Sequence, residues 1–248
     1  MTDFSVDLHV HTSASPDGRS SLPALAAAAK AKGLHALAVT DHNLCTPVPA
    51  ELDGVLLIPG CEVSTQAGHI TGLFLERPLD LDMTGPLPPP EAAVDAIHQA
   101  GGLAALAHPY QKPGAEPERL ALPLDALETV NARAAFKVPD ANRRAARLAQ
   151  DWSLPGVGGS DAHDAAEVGN ACTVLTAEEL SLPALRRALL AGGRAVLYRD
   201  TPHVRKGLSQ WTKARRTGLS RLPKAALYLA YCAALDLCNA RRSPKCLL

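Results

Sequence analysis

No Cys-x-x-Cys pair occurs in this sequence. Its six cysteines, Cys45, Cys61, Cys172, Cys232, Cys238 and Cys246, are scattered. That spacing argues against a zinc ribbon or a thioredoxin-like motif and makes reduced thiols in a cytoplasmic protein the expectation. No leader is expected either, because residues 1–7 are short and polar. Long apolar runs are also missing. The longest near the end, residues 225–235, falls well short of the ~20 residues that cross a bilayer as a helix.

Net charge is zero over the 248 residues, but it is unevenly spread. From His203 onward ten Lys and Arg stand against one acid, Asp236, a net of +9, which leaves residues 1–202 at −9. This divides the chain into a body, 1–200, and a basic extension, 201–248, with different tasks. The length suffices for one α/β barrel with a sizeable core.

The body alternates short apolar runs with Ala- and Leu-rich helical segments, as in a β/α repeat. The runs 4–11, 36–40, 55–60, 69–75, 103–107, 126–130 and 155–159 read as strands. Helices are expected over about 22–32, 91–100 and 140–151. Residues 77–90 hold five prolines and a glycine; they exclude regular structure and are expected to form a lid or long loop beside a site.

What stands at the strand ends is informative. His9 and His11, one residue apart at the close of the first run, point to one side of an extended strand. Asp17 follows in a Gly-containing turn. The later runs end in Asp41-His42-Asn43, Cys61-Glu62, His108-Pro109, Asn131 and Ser160-Asp161-Ala162-His163, while His69 opens the fourth. Six of the nine histidines sit at such junctions; His35, His98 and His203 do not, and are expected to be structural. Imidazoles and carboxylates gathered where strands hand over to helices suit divalent cations on the carboxyl face of a barrel.

The ordered set His9-Val10-His11, Asp17-Gly18, Thr40-Asp41-His42-Asn43, Gly60-Cys61-Glu62, Gly68-His69-Ile70, Ala107-His108-Pro109 and Gly159-Ser160-Asp161-Ala162-His163 resembles the PHP (polymerase and histidinol phosphatase) family of metal-dependent phosphoesterases. The resemblance covers residues 3 to about 198. It implies a distorted (β/α)7 TIM-like barrel, here with a basic helical extension, and up to three bound zinc, manganese or iron ions. Carried over by position, His9, His11, Glu62 and Asp161 would hold the first metal. Glu62 would bridge to a second, completed by His69 and His108, and Asp17, His42 and His163 would hold the third. A carboxylate suits the bridging place, since imidazole offers one lone pair to one metal. Asp41 is expected to orient a histidine ring from behind.

The implied activity is phosphoester hydrolysis by a hydroxide held between two cations, with Glu62, Asp161 and His163 nearest the chemistry. The substrate would be a small phosphomonoester or an oligonucleotide end. Arg133, Lys112 and Arg19 are the candidate phosphate contacts, with Arg133 first; Glu128 and Asn131 would buttress the site, and Cys61 would lie in the core. The short stretch 45–50 replaces the helix such proteins generally carry and leaves the rim open there. In the extension, Leu227, Tyr231, Ala234, Leu235 and Cys238 recur at helical spacing and imply one apolar face, with Pro223 at the helix start. Three readings stand for that helix: packed on the barrel with its basic face in solvent, held on anionic lipid, or held on a nucleic-acid backbone. Cys246-Leu247-Leu248 is one residue short of a prenylation box. The alternative reading for the whole is a non-catalytic metal-binding scaffold whose tail binds nucleic acid or anionic membrane.

Overall fold

A computed structural model describes residues 1–242, with the side chains of 240–242 left out; Cys246-Leu247-Leu248 lies outside the described residues. In order the elements are β1 (Thr2–Val10), α1 (Leu22–Ala31), β2 (Ala36–Val39), β3 (Glu51–Leu52), β4 (Val55–Thr65), β5 (Gly68–Leu73), α2 (Pro90–Gln99), β6 (Leu103–Ala107), β7 (Ala126–Asn131), α3 (Ala141–Asp151), β8 (Gly156–Gly159), β9 (Ala171–Ala177), α4 (Leu182–Ala191), β10 (Arg194–Leu197), α5 (His203–Thr217) and α6 (Leu222–Arg242). Among the described residues no helix is long and apolar enough to cross a membrane.

The sheet runs β10-β9-β1-β2-β4-β5-β6-β7-β8, with β3 paired to β4. It is a nearly closed, barrel-like sheet. Eight of the strands turn apolar side chains to one interior cluster, among them Val6, Leu8, Ala38, Ile58, Leu73, Ala105, Ala126, Val157 and Leu175. Leu185 and Leu189 of α4 join that cluster beside Phe4, Leu103 and Ala126, which lie at or near strand starts. So α4 stoppers the end opposite the strand termini. Outside, α1 packs Leu25 and Ala29 on β1, β2 and β4. On the other flank α2 and α3 pack Val94, Ile97, Ala145 and Leu148 on β4 to β7.

Closure depends on two glycines. β8 makes no regular ladder to β1. Instead, His11 N–H donates to Ala162 O at 2.8 Å, and Gly158 N–H donates to Thr173 Oγ1 at 2.7 Å. A Cβ on Gly158 would stand 2.7 Å from Cys172 O, and one on Gly159 would stand 2.4 Å from His9 Cβ. Only glycine permits both approaches.

The expected seven-unit parallel repeat is broken in two places. β4 runs on past Glu62 to Thr65 and turns back antiparallel as β5, with Glu62 opposite Thr71. The turn is set locally: Thr65 Oγ1 donates to Gly68 O at 2.8 Å and accepts from Ala67 N–H, and Gly68 takes a φ of +124°. Glu62 therefore lies inside a strand rather than at its end. The second break is β9, which enters antiparallel beside β1, with β10 beyond it. Residues 77–90 are irregular as expected, but they form no lid. Leu79 is buried in the outer cluster, with Leu81 and Met83 packed against it, which fixes the loop to the flank.

The tail helices also depart from expectation. Leu227, Tyr231 and Leu237 of α6 face solvent, and the packed side carries Ala225 and Cys232. Gly207 of α5 decides this: a Cβ there would stand 2.8 Å from Leu229 Cδ1 and 2.9 Å from Leu229 Cα, so the helices meet along that line.

Replacing Gly159 by Ala should destabilise the protein by about 1–3 kcal/mol, because the overlap is with atoms the backbone holds in place. Urea denaturation of both proteins measures the difference.

Candidate metal centre

The centre is assembled by strand ends converging on Glu62. The end of β2 is tied to β4 by Glu62 N–H to Asp41 O at 3.1 Å and Asn43 N–H to Glu62 O at 2.9 Å, which brings His42 Nδ1 to 2.7 Å from Glu62 Oε2. Register sets His69 of β5 opposite Ala107, so His69 Nδ1 and His108 Nε2 lie 2.7 and 2.9 Å from Glu62 Oε1. From β1, His9 and His11 place their Nε2 atoms 3.1 Å apart, each 3.5 Å from a Glu62 oxygen. Asp161 Oδ1 lies 3.4 Å from His11 Nε2 and 3.9 Å from His9 Nε2. Asp17 completes the far side, 3.6 Å from His42 Nε2 and 3.5 Å from His163 Nε2. All nine residues singled out in the sequence come together.

The rings are aimed from behind. His9 Nδ1 lies 3.0 Å from Glu128 Oε1, His163 Nδ1 is 2.9 Å from Asp161 O, and His11 Nδ1 is 3.2 Å from Ser15 Oγ. A ring that donates from Nδ1 presents the Nε2 lone pair forward. Glu128 Oε2 also accepts from His108 N–H at 2.7 Å and Asn131 Nδ2 at 3.0 Å, so Glu128 and Asn131 buttress as expected. Asp161 and His108 adopt φ values of +53° and +28°, backbone strain of the kind that re-aims side chains at functional sites.

A cation fits this nest. Asp17 Oδ1, His42 Nδ1 and Glu62 Oε2 are buried without an aligned hydrogen bond among the described residues, although His42 Nδ1 and Glu62 Oε2 stand 2.7 Å apart, and a buried polar atom left so costs about 1–3 kcal/mol. Four sets of three donor atoms lie within 4.8 Å of one another: His9-His11-Asp161, His11-His42-His163, His42-Glu62-His69 and His9-His108-Glu128. Ligands about 2.0–2.2 Å from one cation span such distances. Burial alone would raise Glu62, but His69, His42 and His9 around it hold it well below the usual carboxylate range. Burial, then the neighbouring His163 and His42, push His11 well below the usual imidazole value. Glu62 is thus held ionised, as ligation requires, whereas His9, His42 and His108 are raised despite burial by the carboxylates beside them, Glu128 first for His9 and Glu62 first for the other two, so those rings must give up a proton when a cation binds.

Other expectations are corrected. Asp41 orients no ring; its carboxylate accepts from Thr12 N–H and Thr12 Oγ1, both at 2.7 Å, and so pins the loop after His11. Arg133 reaches the cavity wall, but its guanidinium is engaged: Nε and Nη2 donate to Glu167 at 2.8 and 2.9 Å, and Nη2 to Ser209 at 2.9 Å. Arg19 pairs with Asp164 at 3.0 Å and is absent from that wall, whereas Lys112 is part of it. Cys61 is fully buried in the outer core, as expected.

Residues not singled out from the sequence come from the barrel loops, Gln111, Phe136 and Lys137 among them, and above all from the tail. The cavity above the centre, about 1030 Å³, is also lined by Lys206, Gln210, Lys213, Arg221, Lys224 and Tyr228. Lys213 Nζ stands 3.8 Å from Asp17 Oδ2. Arg216 Nη1 donates to Ser13 O, Ser15 O and Gly18 O at 3.2, 2.9 and 2.9 Å, which ties α5 to the loop bearing Asp17. The spacing 206, 210, 213 on one helix was the available signal.

A nearly closed α/β barrel with a histidine and carboxylate nest at one end defines a class of metal-binding barrel proteins. Residues 7–112 match the PHP domain and residues 139–193 the PHP-associated region. An uncharacterized protein of Methanocaldococcus jannaschii is 32% identical over 177 residues, 67% of this chain and 68% of that protein. The chain belongs to the PHP family.

Solved structures share the fold. A two-domain protein containing a predicted PHP-like metal-dependent phosphoesterase, from Bacteroides vulgatus, matches at 22% identity and a TM-score of 0.59 over 79% of this chain. The present chain spans 65% of that protein's length. PsfC from Pseudomonas syringae matches at 19% identity and a TM-score of 0.62, over 95% of this chain and 100% of that one, a span that must run into the tail helices. Endonuclease Q, in complex with a 27-mer duplex substrate with an abasic lesion at the active site, matches at 17% identity and a TM-score of 0.55, over 79% of this chain and 58% of that one.

Replacing Glu128 by Gln leaves every front-rank donor in place while loosening His9, His108 and Asn131 together. It should weaken metal binding about 10- to 100-fold, read by competition with a chelating dye. Lys206 gives a pH test. Burial, then the nearby Arg133 charge, push its ammonium from 10.5 down to about 7. Between pH 7 and 10.5 the unfolded chain therefore binds more protons than the native one, and stability should rise with pH across that window. Lys206→Met should flatten this rise, as measured by denaturation in anion-poor buffer.

Proposed function

We propose that this protein is a metal-dependent phosphoesterase that hydrolyses a phosphate ester. The observation that carries the reading is the convergence of nine ligand-type side chains on Glu62, with buried polar atoms left without an aligned hydrogen bond among the described residues. His9, His11, Glu62 and Asp161 would hold one cation. Glu62 with His69 and His108 would hold a second, and Asp17, His42 and His163 a third. Zinc, manganese and iron all accept such a donor set. Divalent cations in such a nest supply Lewis acidity toward a phosphoryl oxygen and a lowered water pKa.

The chain's own residues do the rest. Glu128, Ser15 and the Asp161 carbonyl fix ring orientation, so the donors need little rearrangement. Lys213, beside Asp17, offers its ammonium to a phosphate oxygen. Lys112 of the barrel adds a cation at the rim. Asp161 and His163 line the cavity in which the ester would sit, and the fully buried Glu62 would act through the cations it holds. No side-chain nucleophile is needed, which agrees with a wall lacking cysteine and with a single serine pair, Ser64 and Ser220, at its edge.

The cavity volume, about 1030 Å³, is at the upper end of small-molecule sites. This favours a small phosphate ester over a long oligonucleotide. The oligonucleotide-end reading draws on the fold shared with endonuclease Q. A purely scaffolding role is disfavoured by the completeness of the donor set and by tail cations that face the cavity.

Asp161→Asn and His11→Ala should each lower hydrolysis across a phosphoester panel by about a hundredfold or more, since a ligand matters at least as much as its support. Circular dichroism should show the fold retained, and a chelator should abolish wild-type turnover. Full activity in both variants would refute the assignment.

A further inference from the structure

Three of the cations that the tail brings to the cavity form no ion pair with the barrel. Docking falls to others: Arg205 pairs with Asp164 at 3.1 Å, Arg216 caps the carbonyls of the Asp17 loop, and Asp236 accepts from His203 and Val204 N–H at the start of α5. Lys206, Arg221 and Lys224 line the cavity, and none of them makes an ion pair among the described residues. Lys206 donates to the Arg133 carbonyl and lies 4.7 Å above the Phe136 ring, half-buried beside a second cation. The half-buried Lys206 charge without a counter-ion is costly, the exposed Arg221 and Lys224 add positive charge on the same wall, and a multiply charged anion is the ligand that answers all three.

One phosphate cannot answer all of these groups. The donor sets of the centre are compact, with atoms within 4.8 Å of one another, and Lys213 is the tail cation that reaches them. Arg221 and Lys224 belong to the turn and helix beyond α5, on the wall shared with Tyr228. Phe136 and Tyr228 face each other edge to face, centroids 6.2 Å apart, and both line the cavity. They offer ring surface to the organic part of a ligand between the two anionic ends.

We infer that the C-terminal helices build a second phosphate subsite from Lys206, Arg221 and Lys224. The substrate is then a small ester carrying two phosphate groups, one at the metal centre and one at this wall, with its organic body against Phe136 and Tyr228. The inference rests on the phosphoesterase reading and narrows it to a substrate class. It also gives the positive tail a task in selectivity rather than in attachment.

The test compares alkanediol monophosphates with the matching α,ω-bisphosphates over a graded chain length, using the full, metal-loaded chain. A bisphosphate of suitable length should be preferred in kcat/KM by about tenfold or more, since a charge-assisted contact is worth at least that factor. In the double variant Arg221→Ala/Lys224→Ala, both positions being exposed, the bisphosphate-to-monophosphate ratio should fall toward one. Hydrolysis of both series without preference would overturn the subsite and leave the phosphoesterase reading standing. Preference for a single-stranded oligonucleotide with a terminal phosphate over every bisphosphate would overturn the small-ester assignment. If neither series is hydrolysed, the phosphoesterase reading fails. The subsite is then judged by calorimetry of the bisphosphate on chelator-treated protein: weaker binding by the double variant supports it, and equal binding overturns it.

Discussion

The Glu62 carboxylate is the constraint on which the rest of the structure depends. It is fully buried and has imidazole nitrogens of His42, His69 and His108 within 2.9 Å and those of His9 and His11 at 3.5 Å. A buried charge persists only where it is paired, so the ends of four strands, β1, β2, β5 and β6, must meet at this point of β4. The antiparallel turn after β4 follows from this need. Had β4 stopped at Glu62 and led into a helix, His69 could not return opposite Ser64 to face the same carboxylate. The interior cluster is then a platform: α4 fills the far end and leaves this end for polar groups.

The charge asymmetry has a matching physical resolution. A body at −9 and a tail at +9 attract, but contact shows that the tail's cations divide by task. Arg205 and Arg216 are spent on Asp164 and on three carbonyls, whereas the lysines at 206, 213 and 224 turn to the cavity. Arginine's planar fork suits the multiple acceptors of a docking contact and lysine's compact ammonium a cavity wall, with Arg221 the arginine that joins the lysines there.

Much of this was legible in the sequence because it is periodic or local. His9 and His11 fall on one side by strand alternation, and the polar ends of the apolar runs mark the barrel's open face. β9 and β10 were missed, although Ala171–Ala177 carries alternation, because seven strands already closed the expected repeat. The partner of Arg133 was not foreseen, because nothing local shows that Glu167, 34 residues on, takes its guanidinium. Asp41 was misread for a similar reason: its partner is the backbone of Thr12, and a sequence shows side chains better than it shows where backbone N–H groups need acceptors. The outward apolar face of α6 was inverted because the packing line is set by the absence of a side chain at Gly207, which no hydrophobic period can report.

The Asp17 loop joins these threads. Its carboxylate is a donor of the centre, its carbonyls at 13, 15 and 18 are held by Arg216, and Ser15 Oγ both sits at His11 Nδ1 and accepts from His42 N–H at 2.9 Å. A Cβ on Gly18 would stand 1.7 Å from Thr12 O, so the loop has one tight shape. Three donors and the tail helices therefore share a rigid support some ten residues long. The basic wall and the metal nest cannot be arranged independently: displacing α5 would free the carbonyls that Arg216 holds and, through them, the position of Asp17. The placing of the basic wall against the nest is thus fixed by the same loop that carries Asp17.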